Sequence, residues 1–87
     1  MAENAVLIDI IPDDPEANMD EILQQVKEKL PKECGLKDHK VEPYVFGLKK
    51  LKIMLIIPEQ EGILDKIEDT LSSIDGIDVE IVSVTRI

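Results

Sequence analysis

The order of apolar strands and amphipathic helices in this chain of 87 residues predicts an α+β fold of the order βαββαβ. The first and third predicted strands are the most uniformly apolar, and Pro43 in the second cannot donate to a strand ladder. We therefore expect a four-stranded antiparallel sheet of order 4-1-3-2, with both helices on one face. This arrangement is the ferredoxin-like sandwich. The length of the chain allows a single domain over residues 1–87.

The chain begins with a strand followed by a helix. Alternating apolar residues predict the strand over Asn4–Ile11. Asn18 is a suitable helix N-cap, and Glu21 stands three residues later, as in a capping box. Apolar residues then keep helical spacing at Met19, Ile22, Leu23, Val26 and Leu30. We expect Pro31 and Gly35 to end this helix.

A β-hairpin is expected in the middle of the chain. Its first strand is predicted from about Lys40 to Phe46, its turn at Gly47, and its second strand over Lys49–Ile57. Residues 53–57 are an uninterrupted apolar run, which is typical of a strand buried on both sides.

The second half of the chain repeats the helix and the strand. Apolar residues at helical spacing predict a helix from about Glu61 to Ile74, and Asp75 with Gly76 supplies the turn that follows. The last strand is predicted from Ile77 to about Arg86. Its alternation changes phase at Val82, which indicates a β-bulge or a partly exposed end.

Composition excludes several classes of function. Nineteen acidic against ten basic residues give a net charge of -9, which repels nucleic acid and anionic membranes. Tyr44 and Phe46 are the only aromatic residues, too few for an RNA-recognition module. The single cysteine, Cys34, allows no disulfide and no thiolate zinc site. We expect a cytoplasmic protein that binds neither nucleic acid nor membranes directly.

Catalytic and cofactor motifs are absent from the sequence. The four glycines are widely separated, so no glycine-rich phosphate loop is present. His39 is the only histidine and is expected in a solvated loop, where it has no partners for a metal site or a catalytic triad. The sequence predicts no enzyme activity, no metal and no cofactor.

Positive charge is concentrated around the predicted hairpin. Five of the ten basic residues lie within residues 37–52, namely Lys37, Lys40, Lys49, Lys50 and Lys52. Composition alone favours lysines that protect an edge strand against aggregation. Contact of Lys49 and Lys50 with an acidic partner is the alternative, and Tyr44 and Phe46 belong either to the core or to an interface.

Residues 41–53, which read VEPYVFGLKKLKI, resemble a segment of the elongation factor 1-beta family that reads roughly P-x-x-[FY]-G-[IL]-K-x-L. Residues 7–14, LIDIIPDD, are similar to the opening strand of that family, and Met19 with Asp20 to its helix start. The resemblance covers nearly the whole chain, and the length matches the compact archaeal type, which consists of the exchange domain.

The resemblance implies a guanine nucleotide exchange factor for elongation factor 1-alpha, the GTPase that delivers aminoacyl-tRNA to the ribosome. In such a factor the GTPase holds the nucleotide, and the exchange domain is a monomer. By matching position, Arg86 inserts near the magnesium and phosphate site, and Phe46 anchors in the switch region, beside Lys49 and Lys50. Arg86 replaces the lysine typical of eukaryotic members, and Val45 replaces a glycine.

A small-molecule-binding regulatory module on the same ferredoxin-like fold is the alternative. Such modules usually carry a glycine-bearing loop after the first strand, where this chain has the segment PDDP at residues 12–15. They also pair through their sheet edges, so the mass in solution distinguishes a dimeric module from a monomeric exchange factor.

Overall fold

The computed structural model describes residues 2–87 and has the predicted βαββαβ order. Its elements are β1 (Glu3–Pro12), α1 (Met19–Lys29), β2 (Gly35–Pro43), β3 (Lys49–Pro58), α2 (Ile63–Ser72) and β4 (Ile77–Arg86). The strands form one antiparallel sheet of order β2-β3-β1-β4, which confirms the predicted 4-1-3-2 order. Within residues 2–87, no helix is long and apolar enough to cross a membrane.

The core lies between the two helices and one face of the sheet. Alternate residues of the central strands are buried there, namely Val6, Ile8, Ile10, Leu51, Ile53, Leu55 and Ile57. The helices contribute Ile22, Val26, Ile63, Ile67 and Leu71 to the same cluster. The core is therefore aliphatic, and both aromatic residues are left outside it.

Helix α1 begins with the predicted cap. The Asn18 side-chain oxygen accepts hydrogen bonds from the backbone N–H groups of Asp20 at 3.0 Å and Glu21 at 3.2 Å. N–H groups in the first turn of a helix have no backbone acceptor within the helix, and the Asn18 side chain supplies one for these two. Lys27 and Lys29 in the last turn complement the negative end of the helix dipole.

Replacing Asn18 by alanine should lower the free energy of unfolding by ~1 kcal/mol, because the two capped N–H groups lose their acceptor. Asn18→Asp keeps an acceptor at the same place and is the matched control. Urea unfolding of the three proteins measures the difference. Equal midpoints for the alanine and aspartate variants would show that the cap contributes nothing.

The second strand differs from its prediction. It was expected from about Lys40 to Phe46, but β2 covers Gly35–Pro43 and a 3₁₀ turn over Val45–Gly47 follows. Most residues of β2 are exposed because it is an edge strand, so its first half carries no apolar alternation that would reveal it. Tyr44 and Phe46 therefore lie in the connection after β2, and the prediction that the strand extends to Phe46 is wrong.

Two smaller features concern element ends. Helix α2 begins at Ile63, two residues after the expected Glu61, because Gly62 has a left-handed φ of 79°. The predicted β-bulge in the last strand is confirmed, since Leu7 pairs with Ser83 and Ile8 with Ile81. Val82 is thus the extra residue of the bulge, and its side chain is exposed.

Candidate functional site

The loop between β2 and β3 presents Phe46 to solvent. The Tyr44 N–H donates to the Leu48 carbonyl at 2.8 Å, and the Leu48 N–H donates to the Val45 carbonyl at 3.1 Å, so the loop is closed. Phe46 is 96% exposed and has a φ of 57°, the only positive φ at a non-glycine residue in residues 2–87. The exposed ring buries almost no apolar surface and so does not stabilise the fold. The left-handed backbone conformation costs roughly 1–2 kcal/mol in addition. Phe46 is not a core residue.

Lys50 is directed towards the sheet, whereas Lys49 is exposed. The Lys50 ammonium donates to Asp9 Oδ2 at 3.3 Å, and its side chain is only 21% exposed. The same ammonium lies 5.6 Å from the centroid of the Tyr44 ring, within the range of a cation–π contact. Tyr44 is the first residue of the loop and is partly exposed.

Glu42 on β2 binds two of the clustered lysines. Its carboxylate lies 3.5 Å from both Lys40 and Lys52. Desolvation acts to raise the pKa of Glu42, but Lys52 and Lys40 together outweigh it and hold the pKa below its ordinary value. Within residues 2–87, Lys37 and Lys49 are the members of the lysine cluster that form no ion pair.

The carboxyl of Glu42 should titrate below the ordinary range in an NMR pH titration, because the two ammonium groups favour its charged form. Its contribution to stability is therefore present above the unfolded-state pKa and is lost as pH falls through the lowered folded-state value. Lys52→Met should move the midpoint upward. An unchanged midpoint in that variant would exclude Lys52 as a cause.

Arg86 lies at the last position of β4. The ladder continues to the end of the chain, since the Ile87 N–H donates to the Glu3 carbonyl at 3.0 Å. The Arg86 guanidinium is 3.2 Å from Glu59 in the β3–α2 connection, and its side chain is 70% exposed. The backbone of Arg86 is thus fixed, while its side chain forms an exposed ion pair.

Phe46 and Arg86 lie at opposite ends of the sheet. Asn4 pairs with Ile57 on one side and with Arg86 on the other, so Arg86 is at the C-terminal end of β3. Phe46 precedes the N-terminal end of β3. The 10 residues of β3 span roughly 30 Å at ~3.3 Å per residue. One small pocket of a partner cannot accept both side chains.

Cys34 and His39 are the remaining candidate residues with side chains capable of nucleophilic or metal chemistry. Burial, then the charge of Glu33, raises the pKa of the Cys34 thiol, which therefore stays protonated. His39 lies on the edge strand β2 and not in a loop as expected, but its side chain is exposed. Within residues 2–87, no group of His, Cys, Asp and Glu side chains could hold a metal ion.

Comparison with solved structures shows the fold. The ACT domain from the GTP pyrophosphokinase of Chlorobium tepidum superposes with a TM-score of 0.59 at 15% identity, over 98% of this chain and 99% of that one. The C-terminal domain of the MgtC protein from Mycobacterium tuberculosis has a TM-score of 0.55 at 14% identity, over 98% and 85% of the two chains. At these identities the likeness concerns the fold alone.

Comparison of sequences shows the family. The elongation factor 1-beta of Methanospirillum hungatei is 39% identical over 88 residues, which cover all of both chains. That of Hyperthermus butylicus is 38% identical over 89 residues, covering 100% of this chain and 97% of that protein. Residues 5–87 match the family described as the EF-1 guanine nucleotide exchange domain. The chain therefore belongs to the EF-1 guanine nucleotide exchange domain family.

Proposed function

We propose that this chain is a translation elongation factor that promotes the exchange of GDP for GTP on elongation factor 1-alpha. The observation that carries the proposal is the family match over residues 5–87, together with full-length relatives that are elongation factors 1-beta. The chain is not an enzyme, because the exchange makes and breaks no covalent bond. It needs no cofactor of its own, since the GTPase holds the nucleotide.

The mechanism is a coupling between two ligands of one GTPase. The factor binds the GTPase in a conformation that holds GDP and magnesium weakly, and by reciprocity GDP and magnesium weaken the binding of the factor. Entry of GTP then releases the factor for another round. The rate of exchange rises, while the equilibrium between the free nucleotides is unchanged.

Arg86 supplies the cation at the nucleotide end of the proposed interface. The guanidinium is mostly exposed and forms an ion pair with Glu59, and exposed ion pairs contribute just ~0.2–1 kcal/mol. Leaving Glu59 for the magnesium and phosphate region therefore costs little. A guanidinium binds phosphate oxygens through two parallel N–H donors in one plane, so its contact geometry would differ from that of a compact lysine ammonium.

Phe46 and Lys49 supply a second contact at the other end of the sheet. The roughly 30 Å length of β3 separates this end from Arg86, so Phe46 occupies a pocket of its own on the GTPase. An exposed aromatic ring on a closed loop is a suitable anchor, because it loses little freedom on binding. Lys49, exposed and without an ion pair in residues 2–87, can contact an acidic residue of the GTPase.

The factor acts as a monomer in the cytoplasm, with the GTPase as its partner. A net charge of -9 keeps it away from the RNA that the GTPase carries. Size-exclusion chromatography with light scattering tests the monomer, and a stable dimer would favour the regulatory module.

The decisive experiment measures release of a fluorescent GDP analogue from archaeal elongation factor 1-alpha by stopped flow in excess GTP. Addition of the chain should accelerate release in proportion to its concentration until the GTPase is saturated. The same chain after irreversible unfolding is the control for nonspecific effects. Absence of acceleration at a saturating concentration would overturn the proposal.

A further inference from the structure

Asp9 on the central strand β1 is the only buried charged residue in residues 2–87, with 7% of its surface exposed. Its neighbours Ile8 and Ile10 face the helices, so Asp9 points to the opposite face of the sheet. Its Oδ1 oxygen has no hydrogen-bond partner within residues 2–87. Desolvation of the buried charges and of the unsatisfied oxygen opposes folding, so this ion pair is poorly suited to stabilise the protein. The carboxylate therefore points to a role other than stability.

The Asp9 ion pair is formed with a lysine that is displaced along β3 towards the β2–β3 loop. In the strand register Asp9 stands opposite Lys52, yet its carboxylate binds Lys50, two residues nearer the loop. Lys52 instead binds Glu42 of the edge strand. The carboxylate therefore engages the lysine closest to the loop, although another lysine is its direct cross-strand neighbour.

The contacts continue from Lys50 into the base of the loop. The Lys50 ammonium lies over the Tyr44 ring at 5.6 Å, and the Tyr44 N–H closes the loop by donating to the Leu48 carbonyl at 2.8 Å. An unbroken series of contacts thus joins the central strand to the first residue of the loop. Phe46 lies two residues beyond Tyr44, in a left-handed conformation that persists only where the surroundings fix it.

We infer that Asp9, Lys50 and Tyr44 position the closed loop 44–48, so that Phe46 is held in the conformation that contacts the GTPase. The partner in this inference rests on the proposed function, whereas the order of the loop is a property of the chain alone. Lys50 then acts through the loop and does not itself contact the GTPase. These three are positioning residues for the exchange reaction.

The principal variant removes both charges, as Asp9→Asn with Lys50→Met, because removal of Lys50 alone would leave a buried carboxylate without a partner. Tyr44→Leu is a second variant that keeps the ion pair and removes only the ring. Tyr44→Phe keeps the ring and should behave as the wild type. Lys52→Met is the matched control, because it removes a paired lysine from the same strand face two residues further from the loop.

The first measurement is amide hydrogen exchange in the free chain, read by NMR. The N–H groups of Tyr44 and Leu48 should exchange roughly tenfold faster in the double variant and in Tyr44→Leu, if the cluster contributes about the usual coupling between contacting residues. Amides of β1 and α2 report whether the fold is intact. Wild-type exchange at both loop amides in Tyr44→Leu, or an equal increase in Lys52→Met, would overturn the inference.

The second measurement is the concentration of factor that gives half-maximal acceleration of GDP release. It should rise roughly tenfold in the double variant and stay unchanged in Lys52→Met. The triple variant, in which Phe46→Ala is added to the double variant, should need no higher concentration for half-maximal acceleration than Phe46→Ala alone, because the cluster acts through that ring. Fully additive losses would overturn the inference. Failure of the wild-type chain to accelerate release would refute the proposed function, while hydrogen exchange would still decide the role of the cluster.

Discussion

Replacing Arg86 by alanine should reduce the acceleration of GDP release at saturating factor by about a hundredfold, towards the spontaneous rate, because truncating one member of a desolvated charge pair costs ~2–5 kcal/mol. In the free chain the guanidinium forms an exposed ion pair with Glu59. The free energy of unfolding should therefore change by less than about 1 kcal/mol. Stopped-flow release of a fluorescent GDP analogue and a thermal melt measure the two quantities.

Two variants make the Arg86 experiment specific. Lys66→Ala removes a similarly exposed cation, one that is paired with Glu33 at 3.5 Å on the helical side, and should leave exchange unchanged. Arg86→Lys keeps the charge and removes the planar fork, so the activity it retains measures how much the fork contributes. If the Arg86→Ala protein accelerates release as well as the wild type, the proposed inserted cation is wrong.

The sequence predicts those parts of the fold whose burial leaves a periodic pattern. Central strand β3 and helix α1 are evident because Ile53, Leu55 and Val26 are fully buried, and burial demands apolar side chains at fixed intervals. The bulge at Val82 is visible for the same reason, as a break in that interval. The first half of β2 faces solvent, so nothing in its pattern distinguishes it from a loop.

The candidate site is predicted only in part, because its geometry depends on strand register. The resemblance indicates Phe46 and Arg86, but only the pairing of Asn4 with both Ile57 and Arg86 reveals that they lie at opposite ends of the sheet. The contact of Asp9 with Lys50 joins residues 41 positions apart and runs diagonally between strands. No local sequence pattern encodes such a contact.

Replacing Phe46 by alanine should weaken binding to elongation factor 1-alpha by ~2 kcal/mol or more, about thirtyfold in Kd, because aromatic anchors dominate the energy of interfaces. The ring is 96% exposed in the free chain, so the substitution leaves no cavity. Alanine also accepts the left-handed φ of 57° no worse than phenylalanine does. The melting temperature should therefore stay close to that of the wild type.

Two comparisons separate an anchor from a ring that merely happens to be exposed. Val45→Ala truncates the neighbouring exposed apolar side chain of the same loop and should change Kd little, since few residues of an interface carry most of its energy. Leu55→Ala, in the fully buried core, should lower the free energy of unfolding by ~2–5 kcal/mol. It serves as the control for a substitution that destabilises the fold. A large fall in melting temperature for Phe46→Ala, or equal losses of affinity for Phe46→Ala and Val45→Ala, would exclude Phe46 as the anchor. Retained stability with a selective loss of affinity would show that the exposed ring of Phe46 serves the partner and contributes nothing to the fold.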